Sequence, residues 1–431
     1  MNFGYLGVQF GWGLQLANMS AIYSKLGADP DKIPILWLAG PVTGLLIQPL
    51  VGAFSDRTWT KLGRRKPYFL FGSLFASVAL VLMPLSPYLW CAALLLWVLD
   101  ASTNISQEPF RAFVADKLNK DQHTIGYIML SFFVGVGHCV SAAMPMFMRK
   151  LGVEGVASNG IPLTVMYSFR LGALMFLLCI LWTVITAKEY PPSEEQMKVI
   201  EEGRKSGLMG VVREVFGEIP AAIKEMPETM KQVGLVHMFT FLGLFCMWLF
   251  FGLTTAYHIF GATSPDSKLF NEGIEWGGWC FSIYSFVCAI VAFALPRIAR
   301  VTSRKIVHAI SLVLGGLSLL SIYLIHDPQT LQLTMVGIGI TWASTLSMPY
   351  AILAASIPPS RNGVYMGIFN MSIVIPEVFA ALCFQPLIKH VFHNNPLYVV
   401  MMGGIFLLIA ACLVVRVKDD VEFEPIPIKL K

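Results

Sequence analysis

Charge is what this chain has least of. Only 13% of its 431 residues are Asp, Glu, Lys or Arg, and 56% are hydrophobic. A soluble domain carries about a quarter charged residues, so a water-soluble fold is excluded. A cleavable signal peptide is also missing: the first apolar run starts almost at Met1 and continues through Tyr23, too long for a signal's apolar core. Gly-x-Ser-x-Gly, His-Glu-x-x-His and a phosphate loop are all absent, so no enzyme is expected. No pore-loop pattern suggests a channel, and no added signalling domain suggests a sensor. Cys-x-x-Cys does not occur. The eight cysteines (Cys91, Cys139, Cys179, Cys246, Cys280, Cys288, Cys383, Cys412) lie in apolar runs and read as small packing residues, with no metal site expected. The Asn-x-Ser triplets at Asn18, Asn104 and Asn370 lie in such runs too, which argues against glycosylation.

What is present is a series of apolar runs. A membrane-crossing helix needs about 20 mostly apolar residues. Twelve stretches qualify, near 3–25, 34–55, 67–86, 88–114, 124–148, 166–187, 233–259, 273–295, 304–325, 330–355, 362–388 and 396–416. Lys and Arg are unevenly shared between the alternate loops. Twenty-three fall on the side of the Arg57–Lys66 loop, six fall on the other (Lys25, Lys32, Arg149, Lys150, Lys268, Lys389), and Arg111 and Arg170 lie within runs. Basic loops face the cytoplasm, so both termini are expected there. The net charge of +5 resides in these loops and does not indicate a nucleic-acid partner.

Ionisable residues inside an apolar span are costly and mark function by default. Asp100 sits well within the fourth run. On a helix of about 3.6 residues per turn, Asp100, Asn104, Gln107 and Arg111 share one face, which should look into a cavity. Burial favours the neutral form of a carboxyl, so Asp100 is the candidate proton-coupling site; the alternative is an aspartate that bonds a neighbouring helix. Arg111 lies about 16 Å further along, at ~1.5 Å per residue, too far to pair with Asp100. It is either functional or snorkels near Glu108 and Asp116. Gln9, Trp12 and Gln15 suit a sugar, which needs hydrogen-bonding side chains and a flat apolar platform. Gln9 and Trp12 share a helical face, but Gln15 is about 120° from Gln9, so the three either line one cavity or divide between two faces. Trp342, Ser344 and Asn370 are the second-half candidates. Glu377 is a second carboxyl within a span: a proton site, a sugar ligand or a structural glutamate. His138 and His258 read as satisfied structural histidines.

The loop after the second run reads Gly52-Ala-Phe-Ser-Asp-Arg followed by Gly63-Arg-Arg-Lys-Pro. It resembles the cytoplasmic signature of the major facilitator superfamily. Gly52 and Gly63 permit close approach and a tight turn. Asp56 suits a neighbouring helix N-terminus, while Arg57, Arg64 and Arg65 can pair with helix-end acids such as Asp116. The counterpart loop, Pro296 to Lys305, is basic but degenerate. A weak internal similarity aligns Pro109, in Glu108–Asp116, with Pro349, in Met348–Ser356. Two six-span halves with a long linker resemble the major facilitator plan, whose site lies between the halves. The expected fold is therefore all-α and integral to the membrane. It comprises 12 transmembrane helices in two pseudo-symmetric halves, 1–187 and 233–417, with a cytoplasmic linker 188–232 and tail 418–431.

Further motifs narrow the resemblance. Val8-Gln-Phe-Gly-Trp-Gly-Leu-Gln-Leu, Gln48-Pro-Leu-Val-Gly, Leu99-Asp-Ala-Ser-Thr-Asn and Gln107-Glu-Pro-Phe-Arg-Ala are similar to plant sucrose–proton symporters. Gly363-Val-Tyr-Met-Gly-Ile-Phe-Asn resembles span eleven of their bacterial relatives. The resemblance is to the sucrose-carrier branch of the glycoside–pentoside–hexuronide cation symporters. It implies proton-coupled uptake of a disaccharide or glucoside of the sucrose or maltose type, with the proton as coupling ion and no other cofactor. A small sugar and the lipid bilayer are the implied partners of a monomer. Two departures stand out: the Phe250–Ala256 stretch lacks the acids plant members carry in span seven, and Glu377 stands where an amide is more usual. The alternatives are a sodium-coupled glycoside or hexuronide symporter and a non-transporting sugar sensor. Sodium-coupled relatives cluster carboxylates in spans two and four, and span two here has none before Asp56. The short tails and missing targeting segment point to a bacterial inner membrane.

Overall fold

The computed structural model describes residues 3–117, 123–189, 223–356 and 362–418, with isolated positions between 191 and 217. The linker and the C-terminal tail lie almost wholly outside these residues. All twelve expected runs form helices: span one, Phe3–Lys25; two, Ala39–Asp56; three, Lys66–Leu82; four, Leu89–Lys117; five, His123–Lys150; six, Leu163–Thr186; seven, Glu228–Thr254; eight, Lys268–Val301; nine, Arg304–Ser321; ten, Pro328–Thr345 continued by Met348–Ser356; eleven, Asn362–Pro386; and twelve, Pro396–Val414. Span seven thus begins at Glu228, ahead of position 233. Among the described residues no strand forms beyond the isolated bridges Thr60–Gly63 and Val156–Pro162. The protein is a multi-pass membrane protein.

Among the described residues, eleven helices are long and apolar enough to cross a membrane by length and composition. Span one is outside that set because it carries Gln9, Gln15, Asn18, Ser20 and Ser24. All five are buried, so span one faces protein where other spans face lipid. Its glycines let it approach neighbours closely. A Cβ on Gly7 would lie 2.8 Å from the Phe176 carbonyl oxygen of span six, and one on Gly13 would overlap Ser141 of span five. The second half repeats the device: a Cβ on Gly243 of span seven would lie 2.7 Å from the Gly403 oxygen of span twelve.

The halves meet where span five packs on span eight and span two on span eleven. On the face opposite the basic loops, side chains tie them together. Arg149 of span five pairs with Glu272 at 3.2 Å and with Glu275, both of span eight. Thr164 of span six donates to Glu275 at 2.8 Å. Gln385 donates to Asp31 at 3.2 Å, and Lys25 to the Pro265 carbonyl at 2.8 Å. Toward the basic face the halves separate around a cavity of about 820 Å³ between spans five, eight and ten.

Candidate functional site

A second cavity, of about 460 Å³, lies between the halves and shares Val134, His138, Trp342 and Leu346 with the opening toward the basic face. Its size falls within the range of small-molecule sites. Gln9, Trp12, Gln15, Asp100, Asn104, Gln107, Trp342, Asn370 and Glu377 all line it.

The polar stripe of span four forms as the helical spacing requires, and spans one and two hold it. Asp100 is fully buried. Its Oδ1 accepts from Gln15 Nε2 at 2.9 Å, while Oδ2 has no hydrogen-bond partner. One turn on, Asn104 accepts from Gln48 Nε2 at 2.7 Å and donates to Thr43 Oγ1 at 3.1 Å. Gln107 accepts from Trp12 Nε1 at 2.7 Å. The side chain of Arg111 lies outside the described residues. Each amide or indole is thereby oriented by another helix, which fixes rotamers that would otherwise swing freely in the cavity.

Gln9, Trp12 and Gln15 border one cavity although Gln15 lies about 120° from Gln9 on the helix. Span one lies between the halves, and the cavity wraps around more than one of its faces. Other expectations need correction. Ser344 does not reach the cavity: it is fully buried and bonds His308 Nδ1 at 2.9 Å. Two residues along a helix turn about 200°, so Ser344 points away when Trp342 points in. His138 is not satisfied, since it lines the cavity with Nε2 unpartnered. His258 sits in the turn after span seven, its ring 5.0 Å from His326, and its Nε2 is likewise unpartnered.

The second half supplies aromatic walls. Trp342 packs edge-on against Trp248 at 5.3 Å, with Phe241 6.1 Å from both. Trp248, Trp37, Tyr284, Tyr350, Gln48 and Thr43 escaped the sequence reading as site residues. Only Gln48 carried a usable signal, a lone amide in an otherwise apolar stretch of span two. Among the described lining residues there is no Lys or Arg.

The loop after span two forms a separate polar cluster at the basic face. Arg65 bonds Asp56 at 2.5 Å and Asp116 at 2.9 Å; Arg64 reaches Asp56 at 3.2 Å and Asp116 at 3.1 Å. Arg57 donates to the Ala53 carbonyl of its own helix at 3.2 Å. Asp56 does not occupy a helix N-terminus. That position at span three belongs to Glu189, which accepts from the backbone N–H groups of Arg64, Arg65 and Lys66 at 2.7, 3.1 and 3.0 Å. A carboxylate there satisfies free N–H groups and meets the positive end of the helix. Gly63 is required twice over: its φ is +114°, and a Cβ would lie 2.6 Å from Glu189 Cδ. Gly52 is different, since a Cβ there meets only ordinary contact, 3.8 Å from Glu108 Cγ.

Comparisons with known proteins agree with this architecture. The Major Facilitator Superfamily profile matches residues 1–381. The chain is 25% identical over 440 residues to sucrose transport protein SUT1 of Oryza sativa subsp. japonica, covering 87% of this chain and 79% of the relative. It is 25% identical over 418 residues to sucrose transport protein SUC4 of Arabidopsis thaliana, covering 87% and 81%. Among solved structures, the nucleoside transporter NupG superposes with a TM-score of 0.74 at 13% identity, covering 96% of this chain and 98% of that one. The xylose transporter XylE from E. coli, in a partially occluded inward-open conformation, gives 0.65 at 12% identity and covers 96% of each chain.

Proposed function

The chain belongs to the Major Facilitator Superfamily, and on that premise we propose that it is a proton-coupled sugar symporter importing a neutral disaccharide or glucoside by alternating access. The observation that carries this reading is Asp100, a buried carboxyl in the central cavity with one oxygen held by Gln15 and the other unpartnered. A carboxyl so placed can take up a proton on one side of the membrane and lose it on the other. The named sucrose transport relatives support a sugar as cargo. So does the lining: Gln9, Asn104, Gln107 and Asn370 offer hydrogen bonds to hydroxyls, and Trp12 and Trp342 offer flat faces to the C–H surfaces of a pyranose. Two carboxyls and, among the described lining residues, no cation disfavour anionic sugars such as hexuronides.

The basic face is assigned to the cytoplasm by its loop charges. The shape is then inward-facing, closed outside by Arg149, Glu272 and Glu275 and open inside between spans five, eight and ten. Transport requires the proton and the sugar to favour the two access states differently. The reading places it as a monomer at a cell membrane.

The test is uptake into proteoliposomes under an imposed pH gradient, with and without sodium. Asp100→Asn is expected to lower the accumulation ratio at least about tenfold while sugar exchange at equal concentrations persists. Unchanged uphill uptake would remove Asp100 from the coupling mechanism, and uptake driven by sodium at fixed pH would replace the proton reading.

A further inference from the structure

Glu377 has no part in coupling in the account above. It lies in span eleven, immediately after Pro376, and lines the central cavity from the second half, as Asp100 lines it from the first. Among the described residues it makes no hydrogen bond or ion pair. The residue is half-buried and lines the cavity rather than packing wholly within protein. Asp100 is fully buried and keeps an unpartnered oxygen in the same space.

The surroundings leave Glu377 few ways to be compensated. Among the described residues, the other titratable groups lining the cavity are His138 of span five and the tyrosines Tyr5, Tyr284 and Tyr350. Of the elements packed on span eleven, span two brings only Asp56, at its far end. Span seven brings His237, whose ring packs 4.6 Å from Phe369, and Glu228 and Lys231 at its basic end. The turn Pro30–Lys32 brings Asp31, already bonded to Gln385, and Lys32, which pairs with Asp29 at 3.0 Å; the turn beyond span eleven brings Lys389 and His390. None of these is a cation lining the cavity. Two carboxylates sharing a low-dielectric space repel, and each is relieved by a proton. The two sit on opposite halves, so rocking the halves changes their separation and with it the cost of holding both charges.

We propose that Glu377 carries a second coupling proton, so that each cycle moves two protons per sugar, one bound on each half. This rests on the proton-coupled reading given above and deepens it. A protonated carboxyl on each wall would also give the sugar a hydrogen-bond donor from both halves at once, a contact that exists only when the halves close around it.

The experiment measures limiting sugar accumulation in proteoliposomes holding the full chain, with membrane potential clamped at zero and a gradient of about one pH unit. Each coupled proton contributes about tenfold. The wild type is expected near a hundredfold, Glu377→Gln near tenfold, and the double variant Asp100→Asn/Glu377→Gln at no accumulation. Glu377→Asp, which keeps the carboxyl, is expected to retain most of the wild-type ratio. A wild-type ratio near tenfold overturns the proposal without needing any variant, as does a Glu377→Gln ratio equal to wild type. Absence of any response to the pH gradient in the wild type sinks the proton-coupled reading itself, a distinct outcome. Exchange of sugar at equal concentrations separates a folded, binding-competent Glu377→Gln from a misfolded one. If that variant does not fold, the wild-type ratio still decides.

Discussion

Span four and span ten hold matching places in the two halves and carry prolines at matching positions, Pro109 and Pro349. One runs unbroken from Leu89 to Lys117, while the other stops at Thr345 and restarts at Met348. The difference lies in where their polar side chains go. In span four they reach other helices: Asp100 to Gln15, Asn104 to Gln48 and Thr43, Ser106 to the Phe69 carbonyl at 3.0 Å. In span ten Ser344, bonded to His308, and Thr341, shared with the Ser311 carbonyl at 2.6 Å, reach span nine rather than the cavity helices, and others turn back on their own backbone. Thr341, Thr345 and Ser347 donate to carbonyls four residues earlier, at 2.9, 2.8 and 2.7 Å. Such back-bonding bends helices, and a proline that removes one backbone donor then suffices to open a gap. Span four is thus a braced helix that presents a carboxyl, and span ten is a jointed one that presents an aromatic wall.

The basic-face loops repeat the contrast. In the first half Asp56, Arg64, Arg65 and Asp116 form a mutual network seated on Glu189. In the second half Arg304 donates to the Ala351 carbonyl at 2.8 Å and Lys305 to that of Val415, at the end of span twelve, at 3.4 Å. The first half carries a mutual network of charge pairs, and in the second Arg304 and Lys305 reach backbone oxygens of other helices.

The sharpest way to break this contrast is at Gly63. Gly63→Ala must strain a left-handed backbone and displace Glu189. A loss of about 1–3 kcal/mol is expected, with transport rate down at least tenfold, read by thermal melting and initial uptake. Gly52→Ala, in the same motif, should change melting by less than about 0.5 kcal/mol. Equal effects at the two glycines would show that the loop's charge, not its geometry, matters.

A smaller effect is expected at the outer closure. Glu275→Gln weakens the tie to Arg149 while keeping the bond from Thr164 possible. The populations should shift by about tenfold, or about 1.4 kcal/mol, toward the outward-open state. Distances between spin labels on the outer ends of spans five and eight report this, and an unchanged distribution would remove the network from the gate. The smallest effects compare two neighbours in span ten. Trp342→Ala should weaken sugar affinity about fivefold, about 1 kcal/mol, while Ser344→Ala should leave it within twofold. The reverse order would mean that span ten is turned differently in the loaded state.

Much of this was legible in the residues. Apolar length located every span, since a helix in lipid must satisfy its backbone internally. The stripe Asp100–Asn104–Gln107 followed from helical spacing alone. Other features were not legible because their partners are far apart in the chain. Glu189 reaches the N-terminus of span three across 125 positions, and Gln15 meets Asp100 across 85. Helical phase left open whether Gln15 shares a cavity with Gln9, because phase is blind to a cavity that wraps around a helix. Ser344 was misplaced because its small hydroxyl is equally at home in a cavity or between helices.

The sequence by itself determined that the chain is a bundle of membrane-spanning helices, which of them carries a buried carboxyl, and which loops are basic. These depend on hydrophobic length and helical period, properties of each segment alone. Only the tertiary structure decided that Asp100 is held by Gln15, that Glu377 faces the same space from the other half, that span ten breaks where span four does not, and which face is closed. Those outcomes depend on which helices meet and at what level, and that is set by packing between segments rather than by any one of them.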